Sequence, residues 1–286
     1  MTDVTNRPTL RCGDRELALG ARTYVMGIVN LTPDSFSDGG RLPTLAGALA
    51  HAERLLEHGA DVLDLGGEST RPGAEPVPVD DEIARVLPLV EALVARGIRN
   101  LSVDTRNART ARACLEAGAS WVNDVSALSW DPEMAEVAAR ADALVLMHAR
   151  GTPETMQKGR IHYDDLVGEV RAFLEERVAR AAAAGVAKER ILVDPGLGFG
   201  KRLPHNLELT RRLEAFQGLS AGVLYGPSRK RFLGELTGVD DPRERDAATV
   251  GAVCFAATRG ADVARVHDVK SAVQALRVVD ALSRGA

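Results

Sequence analysis

Short apolar runs, each closed by a polar or glycine-containing turn, recur along the chain at residues 23–30, 62–67, 101–105, 121–126, 144–149, 191–196, 222–228 and 263–268. They are too short for helices and rich in Val, Ile and Leu, the pattern of strands buried on both faces. Amphipathic stretches of helical period lie between them. In 48–59, Leu49, Ala52, Leu55 and Leu56 share one stripe and Gly59 supplies a stop. The stretch 80–97 repeats the plan with Ile83, Val86, Leu87, Val90 and Val94. A longer helix is predicted over 164–185 through Leu166, Val170, Phe173, Leu174 and Val178, and a last one over 269–283 through Val273, Leu276 and Val279.

Strand followed by helix, repeated, predicts a parallel sheet. A closed barrel and an open doubly wound sheet both satisfy that order. Eight strands without a Pro- or Ser-rich linker favour the α/β (β/α)8 TIM barrel, with residues 1–286 as one domain. The residues before Thr23 predict a short N-terminal hairpin or plug turning at Gly13 and Asp14.

Composition narrows the picture further. The chain is 45% hydrophobic but only 4% aromatic, so its core is aliphatic. A net charge of −4 argues against a general nucleic-acid binder. It leaves room for an anionic small substrate, because a local cluster of Arg and Lys sets the field in a cleft. Cys12, Cys114 and Cys254 are far apart and form no C-x-x-C pair, which points to reduced thiols. The N-terminus has neither a basic start nor a long apolar run, and no stretch reaches the ~18–20 apolar residues of a membrane span. A soluble, cytoplasmic protein is expected.

In a barrel, functional groups sit where strands end. Here the strand ends carry Asn30, Glu68 through Arg71, Asp104, Asn123 with Asp124, Met147 with His148, Asp194, Ser228 through Lys230, and Arg265 with His267. A single Asp in such a place is as readily a helix N-cap as a site residue. Eight coincidences on one rim are harder to assign to capping.

The cations Arg71, Lys230, Arg265 and His267 suit a polyanion such as pyrophosphate, since guanidinium groups match phosphate oxygens in a fork. The plain alternative is exposed ion pairs worth about 0–1 kcal/mol each. Arg265 and His267 alternate along a strand and so share a face, which favours the first reading for them. Arg229 and Arg231 read as packing or surface groups. Asp104 and Asp194 need donor partners if buried, and a heterocycle with adjacent N–H and amino groups would satisfy Asp194 bidentately. Asn123 offers both a donor and an acceptor to such an edge.

The glycine-rich run 196–201 invites a phosphate-loop reading. Pro195 and Arg202 stand where that motif needs Gly and Ser or Thr, so the reading is rejected. Segments 30–40 and 68–73 have the character of lids, and turn chemistry alone does not account for Phe36 and Arg71. His148 lacks metal-ligand neighbours in sequence and reads as a satisfied structural histidine, while His51, His58, His162 and His205 carry no signal. Met147 reads as a packing residue or a soft contact to a flat ring.

With those residues assembled, the chain from Met26 to Val269 resembles dihydropteroate synthases. The marks are MGIVNLTPDSFSDGG, GADVLDLGGESTRPGA, SVDT, VNDVSAL, MHARGTPETMQ, ILVDPGLGFGK, GPSRKRFLG and ARVHDV. The resemblance implies a (β/α)8 homodimer that condenses (7,8-dihydropterin-6-yl)methyl pyrophosphate with 4-aminobenzoate in folate biosynthesis. It implies a pterin held by Asp104, Asn123, Asp194 and Lys230 beside Met147, with Asn30 helping to hold Mg2+. It further implies Thr70, Arg71, Arg265 and His267 on the pyrophosphate, Ser228 on the aminobenzoate carboxylate, and Phe36, Pro72 and Phe199 around its ring. Asp104, Asp194 and Lys230 would carry the catalysis.

Two alternatives share parts of this pattern. A pterin-dependent methyltransferase domain has the barrel and the acid–amide pocket but needs neither the 228–230 segment nor the 30–40 loop. A non-catalytic pterin-binding paralogue needs no intact Asn30, Asp194 and Lys230.

Overall fold

The computed structural model describes residues 7–32, 44–69, 73–151, 156 and 161–284. Among them, eight parallel strands close into a barrel: β3 (Tyr24–Asn30), β4 (Val62–Gly66), β5 (Leu101–Asp104), β6 (Trp121–Asp124), β7 (Ala143–Met147), β8 (Ile191–Asp194), β9 (Gly222–Tyr225) and β10 (Val263–Val266), with β10 pairing back onto β3. The eight runs expected from the sequence are these strands. Most end one to three residues early, because the polar residues that follow leave the ladder to build the mouth.

Alternation sorts the side chains. On β4, Leu63 and Leu65 join the outer core with Leu55, Val86, Leu89 and Leu93, whereas Val62 belongs to the inner one. The outer layer is made by α1 (Leu45–Glu57), α2 (Val79–Val94), α3 (Ala108–Glu116), α4 (Met134–Ala138), α5 (Leu166–Ala183), α6 (Leu203–Arg211), α7 (Arg231–Thr237), α8 (Asp246–Thr258) and α9 (Val269–Arg284). Two of these, α7 and α8, fall between β9 and β10. The apolar period does not announce α8, since it is apolar nearly all round. No helix among the described residues is long and apolar enough to cross a membrane.

The expected hairpin exists as β1 (Thr9–Cys12) and β2 (Arg15–Ala18), antiparallel, with Gly13 at φ +60° in the turn. It closes the end of the barrel opposite the mouth. Leu10, Cys12, Leu17 and Leu19 pack with Met26, Trp121, Val145, Leu192 and Val263 inside the strands. The Trp121 indole donates to the Arg11 carbonyl at 2.7 Å, and the Tyr24 hydroxyl donates to the Ala18 carbonyl at 3.1 Å. Leu10 and Leu17 are 0% and 2% exposed, so truncating either to Ala should cost about 2–5 kcal/mol in urea denaturation. An unchanged unfolding midpoint would remove the hairpin from the core.

Candidate active site at the barrel mouth

The strand register places Asn30, Gly66, Asp104 and Asn123 side by side at the C-terminal edge of four consecutive strands, and Met147 beside Asp194 on the next pair. Two strands from β4 in one direction is β10, which brings Arg265 to the same interior. Its guanidinium is divided between two carboxylates: Nε donates to Asp64 Oδ2 at 2.6 Å and Nη2 to Asp104 Oδ2 at 2.7 Å. Asn123 Nδ2 donates to the same Asp64 oxygen at 3.0 Å.

Nothing in the linear pattern singles out Asp64, because a lone Asp within VLDLGG sits inside an apolar run. The available signal is parity: flanked by Leu63 and Leu65 on the outer face, residue 64 must point inward.

Burial dominates the ionisation of the site. Asp104 is pushed up to about 7, first by burial; Arg265 opposes the shift, and Asp64, Glu82 and Glu68 add to it. Asp194 is also raised by burial, against the pull of Lys230 and a 2.7 Å hydrogen bond from the Gly196 N–H to Oδ1. Lys230 is drawn down to about 8 by burial, with Asp194 opposing. Its Nζ donates to the Leu197 carbonyl at 2.6 Å and lies 4.9 Å from the centre of the Phe199 ring. Three carboxylates, Asp64, Asp104 and Asp194, thus face the cations Arg265 and Lys230. A donor-rich ligand edge or a developing positive charge would satisfy the remaining acceptor capacity.

The rim continues through Ser228 and His267. Ser228 Oγ is 2.9 Å from His267 Nδ1 and accepts the His267 backbone N–H at 3.1 Å, while Asn30 Nδ2 lies 3.4 Å from His267 Nε2. Arg229, expected to be a packing group, makes a two-point pair with Asp246 at 2.7 Å and takes φ +58° to turn the chain into α7. Arg231 pairs with Glu235 on the surface. Of the residues singled out in the sequence, Asn30, Asp104, Asn123, Met147, Asp194, Phe199, Ser228, Lys230, Arg265 and His267 surround this mouth. Phe36, Thr70, Arg71 and Pro72 lie outside the described residues.

The glycine-rich run is no phosphate cradle. Gly196 has φ +69° and lies so close to the His148 carbonyl that a Cβ there would meet its oxygen at 1.8 Å. Lys201 turns inward, fully buried, with Nζ 2.9 Å from His148 Nδ1, 3.0 Å from the Phe199 carbonyl and 3.4 Å from the His148 carbonyl. Burial pulls Lys201 well below its ordinary value, and burial with the Lys201 charge takes His148 down to about 2, so the imidazole is neutral. Lys201 fastens the loop that carries Leu197 and Phe199, the two contacts of Lys230.

A cavity of about 310 Å3 lies near Arg22, Asp61 and Asp280 at the plugged end. Asp61 there is taken by Arg22, and Asp280 by Thr23 and Arg284. The chemistry collects at the mouth.

A barrel with buried acids and an amide beneath a cationic rim defines a pterin-binding enzyme, and the family model described as pterin binding enzyme matches residues 26–267. Curated relatives give the particular branch. A dihydropteroate synthase of Synechocystis is 45% identical over 97% of this chain and 96% of its own, and that of Escherichia coli is 46% identical over 90% and 91%. A solved Xanthomonas albilineans dihydropteroate synthase with 4-aminobenzoic acid superimposes with a TM-score of 0.89 at 49% identity, covering 97% of this chain and 98% of that one. The same enzyme in complex with 7,8-dihydropteroate gives a TM-score of 0.85 at 46% identity, covering 96% and 98%. The chain belongs to the dihydropteroate synthase family.

Proposed function

We propose that this chain condenses (7,8-dihydropterin-6-yl)methyl pyrophosphate with 4-aminobenzoate to 7,8-dihydropteroate and pyrophosphate, using residues 1–286 as one barrel domain. The observation that carries the reading is the convergence of Asp104, Asn123, Asp194, Lys230, Arg265 and His267 on one mouth beside the family membership. The methylene C–O bond breaks and its electron pair leaves with pyrophosphate. The arylamine nitrogen then donates its lone pair to the methylene carbon, and the resulting ammonium loses a proton to solvent.

Cleavage ahead of attack leaves positive charge on the pterin. Asp104 and Asp194 offset that charge where it develops. Arg265 and Gly196 each occupy one oxygen of these carboxylates, and the second oxygen of each can accept from the pterin N–H groups. Lys230 donates to the ring, and Met147 packs beside it. His267 and Arg265, with Thr70 and Arg71, receive the pyrophosphate; Arg265 brings Nη1 to that task. Ser228 meets the aminobenzoate carboxylate, and Phe199, with Phe36 and Pro72, lines its ring. A neutral arylamine needs no strong base, so positioning and exclusion of water remain as the protein's tasks.

Mg2+ fits this site as a substrate-borne ion rather than a caged one. No group of three or more His, Cys, Asp or Glu among the described residues could hold a metal. Mg2+ commonly keeps water and substrate phosphates with one or two protein oxygens. The Asn30 amide nitrogen lies against His267, which leaves its oxygen as the atom suited to a hard cation. When bound, the ion would neutralise charge on the departing pyrophosphate.

A homodimer is part of the proposal. It is supported by α8, which lacks a polar face, and by Phe255, Val278 and Leu282, exposed at 40%, 59% and 84% on α8 and α9. The unpaired cysteines Cys12, Cys114 and Cys254 support a reducing compartment such as the cytoplasm.

The test is direct. Purified protein should release pyrophosphate only when the pterin substrate, 4-aminobenzoate and Mg2+ are all present. A folded protein that binds the pterin yet gives no arylamine-dependent release would be a binding paralogue instead.

A further inference from the structure

We propose that Asp64 is a positioning residue of this site, whose single carboxylate oxygen fixes both the plane of the Arg265 guanidinium and the orientation of the Asn123 amide. The proposal rests on the pterin-binding reading above. Asp64 is completely buried, and its Oδ2 accepts from Arg265 Nε at 2.6 Å and Asn123 Nδ2 at 3.0 Å. These partners stand two strands away on either side, on β10 and β6, so Asp64 ties opposite flanks of the pocket together.

Two consequences follow for ligand recognition. Asn123 presents an oxygen or a nitrogen to a ligand depending on how its amide is turned. With Nδ2 held by Asp64, the oxygen is the group offered to the pocket, an acceptor matched to a ring N–H. Arg265 would be free, without Asp64, to close both ends of its fork on Asp104. That arrangement would consume both acceptor oxygens of Asp104. Asp64 holds Nε, so only Asp104 Oδ2 is engaged, by Nη2.

The cost of Asp64 argues for a role beyond packing. Its Oδ1 is buried with no hydrogen-bond partner among the described residues, as is Ser102 Oγ on the adjacent strand position. A buried ion pair is seldom worth more than well-packed apolar groups of the same volume, so stability alone does not account for a carboxylate here.

The decisive variant is Asp64→Asn, studied by steady-state kinetics with both substrates across pH. kcat/KM for the pterin substrate should fall at least tenfold, while KM for the arylamine stays within twofold of wild type. The acid limb should move to lower pH. Of the groups facing Asp104, Arg265 lowers its pKa, while Asp64, Glu82 and Glu68 raise it, and the variant removes one of the negative charges. An unmoved acid limb, or equal losses for both substrates, would reduce Asp64 to a structural role and overturn the proposal.

Should Asp64→Asn fail to fold, wild-type protein with 15N-labelled asparagine carries the test. One Asn123 side-chain amide proton should exchange with solvent at least tenfold more slowly than those of exposed asparagines, and equal exchange would overturn the proposal. Calorimetry with 6-hydroxymethylpterin separates this idea from the enzymatic reading. If wild type binds that probe without turnover, the enzymatic reading fails, and a tenfold weaker binding by Asp64→Asn still upholds the positioning role. Equal binding by the two proteins would refute it.

Discussion

Lys230→Ala should lower kcat/KM for the pterin substrate by about 10²–10³-fold, the scale of removing one preorganised donor from a developing charge. The melting temperature should change little. Lys230 enters the mouth half-buried, and its burial already works against its own charge, drawing it down to about 8. Removing it therefore returns a desolvation cost that offsets the lost bond to the Leu197 carbonyl and the contact with Phe199.

The pH profile gives the sharper signature. Asp104, pushed up to about 7, must be ionised to accept from the ring, and Lys230, near 8, must be protonated to donate. The profile of kcat/KM should thus be a narrow bell. Lys230→Arg keeps a cation at every pH and should lose the alkaline limb near 8 while retaining the acid one. If both variants keep the wild-type bell, Lys230 is not the titrating donor. The sign for stability is opposite. The unfolded chain keeps this proton up to its ordinary 10.5, so the contribution of Lys230 to folding improves as pH rises from about 8 toward 10.5.

The distinction between what is readable in the chain and what is not follows from the range of each interaction. Strand identity is local: eight aliphatic runs became β3 to β10, and the turn at Gly13 and Asp14 became the plug. The inward parity of Asp104, Asp194 and Arg265 is also local, since side chains alternate along a strand. Partnership is not. Arg265 pairs with residues 201 and 161 positions away, and no spacing along the chain announces that its fork is shared by Asp64 and Asp104. The same holds for Lys201. Its place at the end of a glycine run suggests phosphate, and rejecting that motif leaves it without a role until the fold sets it against His148. Helix α8 escapes because an element that is apolar nearly all round has no amphipathic period to read.

Arg265→Met should be the most destabilising substitution at the mouth, at about 3–5 kcal/mol, because it strands two buried carboxylates rather than because a strong bond is lost. Asp64 and Asp104 are 0% and 8% exposed, too little for solvent to take over from the guanidinium. The deficit should depend on pH, with a sign fixed by Asp104. Its folded value lies above its unfolded one, so the stability it contributes is full below about 4 and is lost as pH climbs toward 7. Without Arg265, which opposes that rise, the folded value moves higher still. At pH 5.5 Asp104 is largely protonated in either folded protein, and the two differ less. At pH 8 the wild type carries Asp104 ionised against the Arg265 guanidinium, whereas the variant must either ionise it unpaired or keep a proton that the unfolded chain has already lost, and the gap widens. Urea denaturation at the two pH values measures it. Adding Asp64→Asn and Asp104→Asn to Arg265→Met should restore most of the stability at pH 8 without restoring turnover, since the buried charges are removed along with the groups that bind. A deficit below about 1 kcal/mol at both pH values would mean that Arg265 behaves as an exposed ion pair. The acid–cation arrangement at the centre of the mouth would then have to be abandoned.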